Sequence, residues 1–338
     1  MAAEPIGRSG LAEPILEARD ITKYFPVGGG SWPWSRKRLL HAVDDVSLAL
    51  RPGRVTALVG ESGSGKSTVA RLLAEIYPLT SGEIDFRGKV LPRRPSQRSL
   101  QAYRSQVQMI FQDPFASLNP IKTIEHHISR PLKIHHIVPR HEVRRRVYDL
   151  LTTVGLNPAE QFAVKYPHEL SGGQRQRVAI ARALAVEPQV LLADEPISML
   201  DVSIRMGILN LMLQLKEQHR IAFLYITHDI ASARYVGDEI LVMYAGQVVE
   251  HGETDAVLQN PLHPYTRLLL SAVPNPESGL THRRIQARGE VQAPVDPPDA
   301  CRFLHRCPAA MDVCHTRTPR LAEVEPEHWV RCYLYPGT

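Results

Sequence analysis

Nine residues at positions 60–68, GESGSGKST, have the types and spacing that bind a polyphosphate. The glycines allow the backbone to wrap around phosphate groups, so that successive N–H groups point inward. VTALVG before the loop and STVARLLAEIY after it predict a strand and a helix, and the helix dipole adds to the anion site. In this context Lys66 suits the β- and γ-phosphates, Ser67 suits Mg²⁺, and Thr68 suits the α-phosphate side. The residues predicted to bind ATP here are Gly60, Ser62, Gly63, Ser64, Gly65, Lys66, Ser67 and Thr68.

Polar residues that follow apolar runs supply the predicted catalytic groups. Asp194 and Glu195 follow the apolar run VLLA, and a carboxylate at the C-terminal edge of a central strand lies where α/β sheets bind ligands. We expect Asp194 to hold Mg²⁺ through water and Glu195 to polarise the attacking water. His228 follows the run IAFLYIT, and its spacing after the acidic pair predicts contact with the γ-phosphate. Gln112 ends the run QVQMIFQ, and from its place in the order of motifs we assign it to Mg²⁺, with Ser67 and Asp194, and to the attacking water.

A second anion site is predicted at residues 170–174, LSGGQ. Ser171 is a candidate N-cap for a helix with the body RQRVAIARAL, and the free N–H groups of that helix attract phosphate. One fold cannot aim both anion sites at the same γ-phosphate. We therefore expect two subunits that face head to tail, each presenting this turn to the ATP of the other; a simple capped helix is the alternative. The residues involved are Ser171, Gly172, Gly173 and Gln174.

The composition is that of an ordinary globular protein. The chain has 338 residues, of which 43% are hydrophobic and 22% charged. It lacks the run of about 18 apolar residues that a transmembrane helix needs, and it does not start like a secretory signal. We expect a cytosolic protein whose membrane role comes from its partners. The net charge of +5 permits contact with nucleic acid or anionic lipid, but the excess is small and spread along the chain, which favours a solvated surface.

The pattern of strands and helices predicts one α/β domain with additions. Residues 14–59 alternate like antiparallel strands, and residues 120–168 give basic amphipathic helices, within a helical subdomain predicted over about 113–183. We predict a P-loop NTPase domain over 14–258, with an N-terminal antiparallel β subdomain and a helical insertion, followed by a C-terminal extension over 259–338. GGGSWPWSRKR is expected to form an exposed hairpin loop, and QAPVDPPDA a stiff linker.

Taken in order, these motifs resemble the nucleotide-binding subunit of ATP-binding cassette (ABC) transporters over residues 14–258. In that family the aspartate of the loop at 198–201, SMLD, couples the two ATP sites, which implies this role for Asp201; Met199 replaces the usual small residue. An N-terminal aromatic residue stacks on adenine in the family. The resemblance favours Phe25 over Tyr24, because the family's aromatic residue precedes a Pro-Val such as the one found here.

The end of the chain resembles the oligopeptide and dipeptide importers of that family. NPLHPYT at 260–266 and the later GEVQAPVDPPDAC carry this resemblance. It implies an ATPase at the cytoplasmic face of the inner membrane, with a second, different ATPase subunit, two membrane permeases and an external solute-binding protein. A cassette ATPase acting on nucleic acid or ribosomes, and an exporter ATPase, are the alternatives. We expect no nucleic acid partner, since such relatives carry tandem cassettes, coiled coils or zinc modules that this chain lacks.

Four cysteines cluster at the C-terminal end: Cys301, Cys307, Cys314 and Cys332. Their spacing is not that of paired CxxC zinc knuckles, and a cytosolic chain makes disulfides the less expected use. Four thiolates suit Zn²⁺ or a [4Fe–4S] cluster. Because members of the oligopeptide subfamily can hold an iron–sulfur cluster in this extension, the resemblance implies [4Fe–4S]; Zn²⁺ and free structural thiols are the alternatives.

Overall fold

The computed structural model describes residues 12–28, 38–113, 117–271 and 294–338. Most of the predicted hairpin loop GGGSWPWSRKR and the first two residues of the predicted linker lie outside these ranges, as do residues 114–116 after Gln112.

A four-stranded antiparallel sheet forms the N-terminal subdomain. Its strand order is β2-β1-β4-β5. Alternation places Leu16 and Ala18 in a core that also receives the helix after the phosphate loop, and a shift of register after Ala18 turns Ile21 to the same core. The strands are β1 Leu16–Val27, β2 Arg38–Leu50, β4 Ser81–Phe86 and β5 Lys89–Val90.

An eight-stranded sheet forms the centre of the molecule, in the order β11-β12-β10-β9-β3-β8-β7-β6. The five strands from β9 to β6 are parallel, and they read as near-continuous apolar runs because both faces are covered, one of them partly by the N-terminal sheet. The parallel strands are β3 Val55–Val59, β6 Val107–Ile110, β7 Val190–Asp194, β8 Ala222–Thr227 and β9 Glu239–Tyr244. The antiparallel edge consists of β10 Gln247–Glu253, β11 Ala322–Glu325 and β12 His328–Val330.

The described helices surround this sheet. They are α1 Lys66–Leu73, α2 Gln97–Gln106, α3 Ile124–Ile134, α4 Val143–Thr153, α5 Ala159–Ala163, α6 Gly172–Leu184, α7 Val202–His219, α8 Ile230–Val236, α9 Thr254–Gln259 and α10 Pro264–Ser271. Helices α3 to α6 form the insertion between β6 and β7. The limits of this insertion at residues 113 and 183 stay a prediction. Within the described ranges, no helix is both long and apolar enough to cross a membrane.

The C-terminal extension continues the central sheet. Strands β11 and β12 form a hairpin that pairs with β10 beyond the parallel strands. The carboxylate of Glu250 is completely buried. It accepts hydrogen bonds from Leu262 N at 2.6 Å, His263 N at 2.9 Å and His328 Nε2 at 2.8 Å. One buried carboxylate thus joins the edge strand, the NPLHPYT segment and the hairpin.

The described part of QAPVDPPDA differs from the predicted linker, because it pairs with β2. The N–H of His41 donates to Pro294 O at 2.9 Å, and the N–H of Asp296 donates to Leu39 O at 2.8 Å. Proline lacks an N–H donor, but its carbonyl still accepts, so a proline-rich segment can pair at a sheet edge. The extension therefore contacts the N-terminal subdomain as well as the central sheet.

Acid is expected to destabilise the extension through His263. This side chain is buried, its Nδ1 accepts from Tyr265 N at 3.0 Å, and burial lowers its pKa to about 3. The unfolded chain takes up a proton near pH 6.5 while the folded chain does not, so stability is lost as the pH falls below that value. We expect the free energy of unfolding to decrease by about 1.4 kcal/mol per pH unit from this residue. Urea unfolding at pH 7.5 and 5.5 measures it.

Two variants isolate this contribution. His263→Asn keeps an acceptor for the Tyr265 N–H and removes the titration, so it should show a shallower pH dependence than the wild type. His219→Asn removes an exposed imidazole and should leave the pH dependence unchanged. Equal slopes for the wild type and His263→Asn would contradict the assignment.

Candidate nucleotide-binding and hydrolysis site

The phosphate loop lies between β3 and α1, closely surrounded by two strands. Gly65 has φ 105°, and a Cβ built on it would lie 2.2 Å from Ala42 O in β2. A Cβ on Gly60 would lie 2.2 Å from Met243 O in β9. The predicted need for glycine thus has a steric cause in the fold itself, namely the approach of neighbouring backbone. Ser62 and Gly63 are exposed at the tip of the loop, while Ser64 is buried.

Lys66 is anchored inside the loop. Its Nζ donates to Gly60 O at 2.7 Å and to Glu61 O at 2.8 Å. Burial lowers its pKa, and the nearby charges of Glu195 and Asp194 oppose that shift. The ammonium group is therefore held beside both carboxylates of the predicted catalytic pair, at the end of the loop that would cradle the phosphates.

Ser67 and Asp194 meet across the first turn of α1. The Ser67 hydroxyl donates to Asp194 Oδ1 at 2.8 Å, and the Asp194 side chain is almost completely buried. Burial raises the pKa of Asp194, and the hydrogen bond from Ser67 lowers it. A hydroxyl next to a carboxylate is a donor set that Mg²⁺ prefers, so these two residues fit the predicted ion.

The three predicted catalytic residues come together at the carboxyl ends of neighbouring strands. Gln112 Nε2 donates to Glu195 Oε2 at 3.0 Å, and His228 Nδ1 lies 3.2 Å from Glu195 Oε1. Glu195 has a left-handed backbone at φ 45°, held by a hydrogen bond from its N–H to Ile226 O at 2.9 Å. The His228 side chain is 58% exposed and that of Glu195 is 15% exposed. Water can therefore reach the carboxylate between an amide and an imidazole.

The LSGGQ turn begins α6, as predicted. Ser171 Oγ accepts from Gln174 N at 3.3 Å, and Gln174 Oε1 accepts from Ser171 N at 3.0 Å, which completes a capping box. A Cβ on Gly173 would lie 2.5 Å from the side chain of Ile204, so α7 packs directly on this turn. In the described ranges, no hydrogen bond or ion pair joins residues 171–174 to the phosphate loop of the same chain.

Exposed apolar side chains surround the predicted coupling residue Asp201. Asp201 is exposed at the N-terminus of α7, and its side chain makes no capping hydrogen bond. Met199 is 54% exposed, Val202 is 76% exposed and Met206 is 44% exposed. Three large apolar groups around one aspartate next to the LSGGQ turn form a surface suited to contact with another protein.

The two N-terminal aromatic residues have different surroundings. Tyr24 stacks on His41 at 3.7 Å, and its hydroxyl donates to Asp44 Oδ1 at 2.7 Å. Phe25 lies edge-on to Tyr77 at 5.5 Å. Tyr24 is thus already engaged, which is compatible with Phe25 as the adenine-stacking residue; that role stays a prediction.

The four cysteines lie near one another in the extension. Cys301 N donates to Cys314 O at 2.9 Å. The pKa of Cys301 is raised to about 11, chiefly by burial and in smaller part by the charges of Cys314, Cys332 and Cys307. Over the ranges the structure describes, however, no group of three or more His, Cys, Asp or Glu side chains is arranged to hold a metal ion. The geometry therefore does not support the predicted [4Fe–4S] cluster or the alternative Zn²⁺ site.

Sequence reasoning missed two contacts of Glu61 within the phosphate loop. Its side chain pairs with Arg306, and its N–H donates to the hydroxyl of Tyr265. Tyr265 belongs to the NPLHPYT segment, which served only to indicate a subfamily. Nothing local in the sequence signals a pair whose members are 245 positions apart.

Comparison with known proteins places this site in a family. The chain matches the ABC transporter family over residues 43–198, and the oligopeptide/dipeptide transporter C-terminal region over residues 249–314. It is 43% identical over 325 residues to the oligopeptide transport ATP-binding protein AppF of Bacillus subtilis, covering 96% of this chain and 98% of that protein.

The chain belongs to the ABC transporter family.

Another relative and a solved structure support the same family assignment. This ABC transporter chain is 44% identical over 323 residues to the oligopeptide transport ATP-binding protein OppF of Escherichia coli, covering 94% of this chain and 95% of that protein. The ATP-binding cassette MJ0796, solved as a dimer in a post-hydrolysis state with ADP and Pi, matches with a TM-score of 0.62 and 30% identity, covering 71% of this chain and 98% of that one. The predicted α/β ATPase fold and ATP hydrolysis are thus confirmed.

Proposed function

We propose that this chain is the ATP-hydrolysing subunit of an importer for oligopeptides, dipeptides or related solutes. The observation that carries the proposal is the meeting of Gln112, Glu195 and His228 beside the Ser67–Asp194 pair. The chain joins this site to the C-terminal region of oligopeptide and dipeptide transporters. Relatives over nearly the full length are named as peptide transport ATP-binding proteins, which supports the solute class.

Each residue of the site has a separate role in the proposed hydrolysis of ATP. Glu195 orients the attacking water and accepts its proton, while the imidazole of His228 donates to the γ-phosphate. Ser67 and Asp194 would hold Mg²⁺, with Gln112 as a further ligand. When bound, the ion would neutralise negative charge on the phosphates. Lys66 neutralises the same oxygens, so positive charge lies where negative charge develops.

Two ATPase subunits are proposed to face each other head to tail. The LSGGQ turn makes no hydrogen bond to the described part of its own phosphate loop, and it is free to approach the ATP of a partner. The exposed Met199, Val202 and Met206 around Asp201 provide apolar area for that contact. The finer proposal is that the partner is a related but different ATPase chain.

The remaining partners are proposed to be two transmembrane permeases and an extracytoplasmic solute-binding protein. The chain acts peripherally at the cytoplasmic face of the inner membrane. The helical insertion α3 to α6 follows Gln112 in the chain, with α3 beginning at Ile124, so movement at the γ-phosphate can pass through Gln112 toward a permease.

We also propose a [4Fe–4S] cluster at the four cysteines, because their thiols lie near one another and the chain resembles importers that can hold one. The geometry of the described side chains does not by itself support a metal site. No step of hydrolysis depends on it. Iron and sulfide analysis of anaerobically purified protein tests it; protein that contains neither element, or stoichiometric zinc, removes the proposal.

Loss of peptide uptake is expected when Lys66 is replaced by Ala. The substitution removes the buried ammonium that neutralises the phosphate oxygens, and we expect uptake to fall by about 10²-fold. Uptake of labelled di- and oligopeptides is measured in cells that lack the chain and are complemented with wild type or variant. Lys89→Ala, an exposed lysine on β5, is the control and should restore uptake.

Two further measurements distinguish the alternative functions. ATP-dependent efflux of peptides would indicate an exporter. Salt-sensitive nucleic acid binding that stimulates ATPase activity, without an effect on uptake, would indicate a cassette ATPase acting on nucleic acid.

A further inference from the structure

Glu61, the second residue of the phosphate loop, is bound by the C-terminal extension from two directions. The guanidinium of Arg306 forms a bidentate ion pair with its carboxylate, with Nη1–Oε2 at 2.9 Å and Nη2–Oε1 at 3.0 Å. The backbone N–H of Glu61 donates to the Tyr265 hydroxyl at 2.9 Å. Bidentate Arg–carboxylate pairs fix orientation as well as distance, so both the side chain and the backbone of Glu61 are held.

The ion pair is partly shielded from water, on the Arg306 side. The Arg306 side chain is 6% exposed and that of Glu61 is 31% exposed. Surface ion pairs are weak because water and salt screen them, whereas a largely buried charged partner makes the removal of either member costly. This pair therefore contributes more than an ordinary surface contact.

Glu61 passes this restraint to the residues that bind phosphate. Its carbonyl accepts from Ser64 N at 3.2 Å and from Lys66 Nζ at 2.8 Å. The contacts run in an unbroken series from Arg306 and Tyr265, through Glu61, to the ammonium group of Lys66. A shift of Glu61 would displace the loop and its lysine together.

The segment that carries Arg306 is itself fixed to the central sheet. Phe303 is 2% exposed and packs edge-on against Tyr244, with ring centroids 5.2 Å apart. Tyr265 lies 5.5 Å from the same ring. Arg302 donates to Ala245 O and to the carboxylate of Asp44 in β2. The extension thus holds Arg306 on a rigid support, as a positioning residue requires.

We propose that the C-terminal extension positions the phosphate loop for nucleotide binding, through Arg306 and Tyr265. The inference rests on the proposed ATPase function and adds a role for the extension. Arg306 and Tyr265 are positioning residues, since each contacts the phosphate loop through Glu61.

Replacing Arg306 by Gln is expected to weaken nucleotide binding more than catalysis. We expect the Kd for MgATP and MgADP to rise about tenfold, the usual consequence of losing a charged hydrogen bond, and kcat to change less than about twofold. A merely structural residue would not separate KM from kcat in this way. Fluorescent nucleotide titration and steady-state ATPase kinetics on the purified full-length chain measure both quantities.

Further variants test whether the effect passes through Glu61. Glu61→Gln breaks the ion pair from the loop side and should give the same rise in Kd. The double variant should bind no more weakly than the worse single variant, because both remove one interaction. Arg306→Lys keeps the charge but loses the bidentate geometry, so its Kd should lie between those of the wild type and Arg306→Gln.

A matched control comes from the same extension. Arg267 is exposed, and its guanidinium donates to Pro261 O and to the Tyr335 hydroxyl, away from the phosphate loop. Arg267→Gln should therefore leave the Kd unchanged.

The inference is overturned if a folded Arg306→Gln binds MgADP like the wild type, or if the two single effects add in the double variant. Should Arg306→Gln fail to fold, Glu61→Gln decides, and unchanged binding by that variant also overturns it. A wild-type chain that binds no MgATP would instead refute the proposed function.

Discussion

ATP hydrolysis is expected to fall by about 10²–10³-fold when Glu195 is replaced by Gln, while ATP binding persists. The amide keeps the size of the side chain, but it can no longer accept a proton from water. One oxygen of the Glu195 carboxylate accepts a hydrogen bond from Gln112, and the other lies next to the imidazole of His228. With hydrolysis blocked, two subunits should stay closed around ATP. Phosphate release measures the rate, and size-exclusion chromatography with MgATP measures the dimer.

Glu187→Gln is the matched control for this variant. Glu187 also has a left-handed backbone, at φ 53°, and it pairs with Arg146 on the surface at 2.7 Å. The same change of acid to amide at this position should leave hydrolysis and oligomeric state unaltered. Normal hydrolysis by Glu195→Gln would assign activation of water to another residue and contradict the mechanism.

The candidate catalytic residues could be found in the sequence because they belong to local patterns. Gln112, Glu195 and His228 each follow a short apolar strand, and the carboxyl ends of parallel strands meet at one edge of a sheet. Pairing of β6 with β7, and of β7 with β8, then brings the three side chains together. The strand order that brings them together comes from the structure.

The role of the extension could not be predicted in this way. The contact between Arg306 and Glu61 depends on how two distant segments pack, and no periodicity in the sequence encodes it. The prolines of QAPVDPPDA indicated a linker, yet the carbonyl of Pro294 accepts from β2. For the cysteines, their clustering and the family resemblance indicated four metal ligands, whereas ligation depends on where the backbone aims each thiol. Local patterns predict elements, and long-range packing decides what the elements hold.

Nucleotide binding is expected to fall by about 10²-fold, a loss of about 2.8 kcal/mol, when Gly65 is replaced by Ala. The new Cβ would lie 2.2 Å from Ala42 O and 2.8 Å from the Met243 side chain. Because Ala42 O is backbone of β2, the loop must move away from the strand. We also expect the free energy of unfolding to decrease by about 2–4 kcal/mol. Nucleotide titration and urea unfolding measure the two effects.

Gly88→Ala separates the clash from the backbone strain. Gly88 lies in the turn between β4 and β5 with φ 73°, and a Cβ there would meet no atom within 4 Å. The free energy of unfolding of this variant should decrease only by the strain of a left-handed alanine, about 1–2 kcal/mol. Its nucleotide binding should be normal. If Gly65→Ala also bound nucleotide normally and lost no more stability than Gly88→Ala, the left-handed backbone alone, and not the approach of β2, would account for the glycine at position 65.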